Sequence, residues 1–186
     1  TYIEPDLSKT VVIYRTLAWV GLVFWGAWFL STDHRVLMGG FPEISASFMH
    51  RVDLVFHEAG HVLFIPLGRF MSVLGGSLGQ LLMPLIVAAF FVFKHSNPFG
   101  GSVAIWWTGQ SLMDLAPYVH DGARQQMILL GGVTGRDRPG YHDWNNILRD
   151  LGWLRQAESI AGLVNFAGVV VLLLGLLWGA YLLYRQ

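Results

Sequence analysis

Phe56-His57-Glu58-Ala59-Gly60-His61 interrupts an apolar stretch that runs from about Phe48 to Ile65, and its reading decides the rest of the chain. Residues four apart share one face of a helix. His57 and His61 therefore aim two imidazoles at one point, with Glu58 on the adjoining edge. Two histidines leave room for a third protein ligand and a water, and a neighbouring carboxylate can take the proton of that water as it attacks a carbonyl. This is the layout of a zinc hydrolase. Two imidazoles and a carboxylate facing lipid would be costly, so such groups at membrane depth face the protein interior and serve function.

The surrounding sequence supplies the membrane. Of 186 residues, 54% are hydrophobic and 13% charged, and the mean hydropathy is +0.49. The expectation is an all-α integral membrane protein with a single domain. Twelve basic residues balance twelve acidic ones, so no basic surface argues for nucleic acid. With no cysteine, a disulfide framework is excluded and a metal must be held by histidine and carboxylate.

About five transmembrane helices are expected, over residues 11–30, 48–65, 71–93, 102–116 and 160–183, with an amphipathic and loop segment between the fourth and fifth. The acidic lead-in and bulky end of the first run argue against a cleaved signal peptide. Pro66 and Gly68 end the second helix. Its 18 residues, at about 1.5 Å each, barely cross a ~30 Å hydrocarbon core, so His61 lies close to an interface. Gly75, Gly76, Ser77 and Gly79 open the third helix with small residues, which lets another backbone come close or leaves a cavity. Asn97-Pro98 and Gly100-Gly101 read as a turn, Pro117 as the break that ends the fourth helix, and residues 143–154 as a surface helix. The eight tryptophans read as packing and interfacial anchors.

Five spans put the N-terminus and a segment at residues 120–157 on one side, with Lys9, Arg15, Arg69, Arg124, Arg136, Arg138, Arg149 and Arg155. Arg35, Arg51, Lys94 and Arg185 lie on the other. The positive-inside rule makes the first side cytoplasmic, as in a bacterial inner membrane, and puts the C-terminus opposite. His61 then lies towards the cytoplasmic face. Four residues on that side compete to be its third partner: Asp114, His120, Asp121 and His142. Asp121 is preferred, because a carboxylate after a helix break can turn back to the ion and Gly122 permits a close approach. His142 is the main rival, and Asp143 beside it reads as a helix cap. His50 is expected at the outer interface.

These residues resemble the site-2 protease family of intramembrane zinc metallopeptidases. His57, Glu58 and His61 match its H-E-x-x-H motif. Asp114-Leu115-Ala116-Pro117 followed by Asp121-Gly122 is similar to its N-x-x-P and Asp-Gly elements, with Asp for Asn and a spacing one residue shorter. Gly75 to Gln80 resembles the small-residue segment after the metal helix, with Gln80 where Asn is usual. The resemblance covers roughly residues 50 to 122. It implies that Glu58 is the general base, that His57, His61 and Asp121 hold Zn2+, and that the substrate is the transmembrane segment of another protein. Asp114 and Gln80 are candidates to bind the unwound substrate backbone or to orient a ligand.

A second reading is a non-catalytic subunit of a larger membrane complex, for which aromatic surfaces on the first and last helices would suit partner packing. A bis-histidine haem on His57 and His61 is excluded, because both rings lie on one helix face. A transporter is disfavoured by the absence of an internal repeat.

Overall fold

The computed structural model describes residues 7–32 and 43–186, so Glu4, Asp6 and the connector residues Asp33, His34, Arg35, Gly39, Gly40 and Pro42 lie outside it. The described residues form six α-helices, joined in places by short helical turns, and no strand: α1 (Lys9–Ser31), α2 (Phe48–Leu63), α3 (Arg69–Ala89), α4 (Pro98–Asp121), α5 (Asp143–Asp150) and α6 (Ala157–Tyr184). Three stretches are long and apolar enough to cross a membrane: Lys9–Ser31, Arg69–Lys94 and Leu154–Tyr184. Large apolar side chains such as Phe24, Phe93 and Leu177 stand exposed on them, as a lipid-facing surface requires.

Apolar burial from water gives little drive to helix association inside a bilayer, so close packing through small residues takes its place. Four glycine contacts do this. A Cβ on Gly60 would run into the carbonyl oxygen of Gly75, and one on Gly79 into the carbonyl of Phe56, so α2 and α3 meet backbone to backbone. Gly109 presses against the Leu172 backbone and Gly168 against the Gly109 carbonyl, which seats α4 on α6. Trp106, Phe29, Met113, Leu172 and Ile44 fill the core beside this seam. Gly109→Ala should therefore destabilise the protein by about 1–3 kcal/mol, as overpacking does. Gly21→Ala, where an added Cβ meets nothing within 4 Å, should not. Thermal unfolding in detergent distinguishes them.

Local signals account for most boundaries. The Asn97 side chain accepts from Gly100 N–H and Pro98 occupies the first turn, so α4 starts at Pro98. The expected turn at Gly100-Gly101 is thereby absorbed into the helix. Gly100 and Gly101 are needed there for packing, since Cβ atoms on them would touch the Phe91 ring and Val92. After Pro66, Gly68 adopts φ 91° and restarts the chain into α3. Pro117 does not break α4, which continues to Asp121. Residues 114–117 are all buried, and that packing holds the helix across the missing proline donor.

The contacts also fix which ends lie together. Arg15 donates to Asn97 Oδ1 (3.5 Å) and stacks over Phe99, while Trp19 Nε1 donates to the Leu176 carbonyl (2.9 Å). The start of α1, the turn before α4 and the end of α6 therefore share one end of the bundle. At the other end, Arg69 pairs with Asp150 (2.8 Å), bringing the start of α3 to α5. The start of α1 and the end of α6 thus lie together at the end opposite α5, whereas the sequence reading put the start of the chain beside residues 120–157 and its end across from them. The helix α2, expected as a span, has 16 residues and extends only about 24 Å, short of a ~30 Å hydrocarbon core.

Candidate metal centre

Imidazoles of His57 and His61 face α3, where Gly76 makes room for them. A Cβ on Gly76 would lie 2.5 Å from both Nε2 atoms. Each ring is fixed by its other nitrogen. His57 Nδ1–H donates to Gln80 Oε1 (3.2 Å), and His61 Nδ1–H donates to the Ser72 carbonyl (2.8 Å). With the proton on Nδ1, each Nε2 presents a lone pair, and outer partners of this kind are what orient metal-binding histidines.

Both lone pairs meet one carboxylate. Asp143 Oδ2 lies 3.2 Å from His57 Nε2 and 3.3 Å from His61 Nε2. Among the described residues, His57, His61 and Asp143 form the one group of three whose ligand atoms all lie within 4.8 Å of one another. Three acceptors turned inward repel unless positive charge sits among them, and a divalent cation satisfies all three at once. Two nitrogens and one carboxylate oxygen, with no thiolate, form a donor set that zinc accepts, and three protein ligands leave a further position open.

Asp143 is the first residue of α5, and several contacts hold it there. Tyr118 Oη donates to Asp143 Oδ2 and accepts from Asp143 N–H, both at 2.9 Å. The His142 ring stacks on Tyr118 at 4.4 Å, and its Nδ1 accepts from Asn145 N–H, capping α5. Trp144 Nε1 donates to Ser77 Oγ and Asn145 Nδ2 to the Gly122 carbonyl, tying α5 to α3 and α4.

Asp121, the expected third ligand, lies elsewhere. Its carboxylate accepts from Gln126 N–H (2.9 Å), Met127 N–H (2.8 Å) and His142 Nε2–H (3.2 Å), and both Asp121 and His142 are fully buried. The pair fastens the loop from which α5 springs. The reason for the difference is the continuity of α4 through Pro117. Tyr118 comes level with His57, their rings 5.9 Å apart, and Asp121 falls about a turn beyond. His120 pairs with Arg124 instead.

The histidines open into a cavity of about 600 Å³ that Glu58, Asp143, Gln80 and Asp114 also line. Glu58 is exposed to it. Leu54, Leu115 and residues 127–132 supply apolar walls, so the space suits an apolar chain brought to a polar floor. His50 lines it too, its Nδ1 2.9 and 3.0 Å from the two oxygens of Asp114, rather than standing at an outer interface. Asp53, on the same helix face, is fully buried and accepts from Trp107 Nε1 (2.8 Å).

Two participants were missed in the sequence. Asp143 read only as a cap, although an acidic residue opening an amphipathic helix on the His61 side was the available signal. Gly76 carried a signal, the small-residue run, whose target among the imidazoles was not legible. No protein-family model matches the chain, and no significant match was found among curated proteins or solved structures.

Proposed function

We propose that this protein is a zinc-dependent intramembrane peptidase that hydrolyses a peptide bond in or near a transmembrane segment of a protein substrate. The observation that carries it is the convergence of two Nδ1-anchored histidines and Asp143 on one point beside Glu58, opening into an apolar-walled cavity. His57, His61 and Asp143 would hold the metal. When bound, zinc polarises the scissile carbonyl and lowers the pKa of a coordinated water to roughly 7. Glu58 takes the proton of the attacking water and delivers it to the amide nitrogen as the C–N bond breaks, leaving an acid and an amine. The substrate helix must unwind first, because its own hydrogen bonds shield each peptide bond.

The arrangement of ends favours four crossings by α1, α3, α4 and α6. The α5 end carries Arg69, Arg124, Arg136, Arg138, Arg149 and Arg155, so the positive-inside rule makes it cytoplasmic and puts both termini across the membrane. The active end would then face the cytoplasm, as in a bacterial inner membrane. A non-catalytic subunit is the second reading. It draws on α1, whose apolar window is only 6% buried and offers a face to a partner.

The test is cleavage in detergent of a quenched fluorescent peptide containing an apolar segment of about 20 residues. Cleavage abolished by 1,10-phenanthroline and restored by zinc is expected. Cleavage indifferent to the chelator would remove the peptidase reading, and tight zinc binding without cleavage of a panel of such peptides would favour the subunit.

A further inference from the structure

We propose that Asp114 is a positioning residue for the metal centre, acting on His57 through the side-chain amide of Gln80. The proposal rests on the reading of His57 as a metal ligand. Gln80 lies on α3, 3% exposed, between α2 and α4. The two ends of an amide are alike in shape and opposite in chemistry, so its partners decide how it points. Its Nε2 has two acceptors at 3.3 Å, the Ser111 carbonyl and Asp114 Oδ2. The NH2 group therefore faces α4, and Oε1 faces His57 Nδ1 at 3.2 Å.

That direction has a consequence at the ion. Oε1 only accepts, so His57 carries its proton on Nδ1 and offers Nε2 to the metal. A reversed amide would set NH2 against Nδ1, force the proton onto Nε2 and block the ligand atom. Asp114 is itself locked. His50 Nδ1 reaches both of its oxygens, and the side chain is 5% exposed. The relay thus starts at His50, crosses α4 and α3, and closes on α2 two turns further along at His57. A carboxylate one residue removed from the ligand sets the histidine's tautomer without adding its charge to the ion's own shell.

The experiment measures zinc affinity of the purified protein in detergent for wild type, Gln80→Ala, Asp114→Ala and the double variant. Each single change should weaken binding about 10- to 100-fold, the usual effect of losing an outer hydrogen-bond partner. The double variant should be no weaker than Gln80→Ala, because Asp114 acts only through residue 80. Asp114→Asn keeps an acceptor for the amide and should recover most of the loss. Nitrogen-15 correlation spectra of metal-free, histidine-labelled protein should show the Nδ1–H form of His57 in wild type and its loss in Asp114→Ala. Should Asp114→Ala fail to fold alone, Gln80→Glu supplies an acceptor that needs no help, and adding Asp114→Ala to it should cost no affinity. Additive losses in the cycle, or an unchanged tautomer in Asp114→Ala, would overturn the relay. A wild type that takes no zinc would instead overturn the metal reading, while the tautomer spectra still report on the relay.

Discussion

Gly76→Ala is expected to eliminate metal binding while leaving the helices assembled. Zinc sits about 2.0–2.1 Å from imidazole nitrogen. A Cβ on residue 76 would lie 2.5 Å from Nε2 of both His57 and His61, so the methyl would take the space from which an ion reaches both rings. The colliding atoms are the far ends of two side chains, which can swing aside without moving backbone. By contrast, the nearest contact of Gly60, Gly75 and Gly79 is in each case with backbone, and changes there should cost assembly itself. The loss of affinity should exceed the ~10- to 100-fold typical of an outer partner, because two direct ligands are displaced together. Zinc titration and thermal unfolding of the same preparation check both halves of the expectation. Wild-type affinity in this variant would mean that the two Nε2 atoms do not share an ion.

Glu58→Gln should lower peptide cleavage by about 10²- to 10⁴-fold, the range that a positioned proton acceptor contributes. Metal content should not change. Glu58 lies next to His57 in sequence and lines the cavity, but it is outside the group of converging ligand atoms. Glutamine has nearly the same shape and cannot accept and return a proton. The check is a cleavage rate set beside zinc stoichiometry. Full activity would remove Glu58 as the base, and lost zinc would mean that it serves the ion instead.

The helical character and the histidine pair were legible because both rest on local rules: apolar runs of helical length, and a four-residue spacing that places two side chains on one face. The small-residue reading of Gly75, Gly76 and Gly79 was legible as close approach, but not as a division of labour. Only the packed helices show that Gly75 and Gly79 receive the α2 backbone while Gly76 receives the imidazoles. The third carboxylate was not legible. Asp121 and Asp143 are both acidic residues at helix ends on the same side, and what separates them is the path of the loop between. Asp121 spends its oxygens on that loop's N–H groups and on His142, which leaves Asp143 at the histidines. The standing of α2 differs for a related reason: hydropathy counts apolar residues and gave it the same weight as α1, yet at 16 residues it is not among the three stretches long and apolar enough to cross a membrane.

The most direct measurement is the zinc content of purified wild type, Asp143→Ala and Asp121→Ala. One zinc per chain in wild type, lost in Asp143→Ala and kept in folded Asp121→Ala, is the predicted result. Zinc retained in Asp143→Ala and lost in Asp121→Ala would contradict the site described above, and a well-folded wild type without metal would contradict the account as a whole.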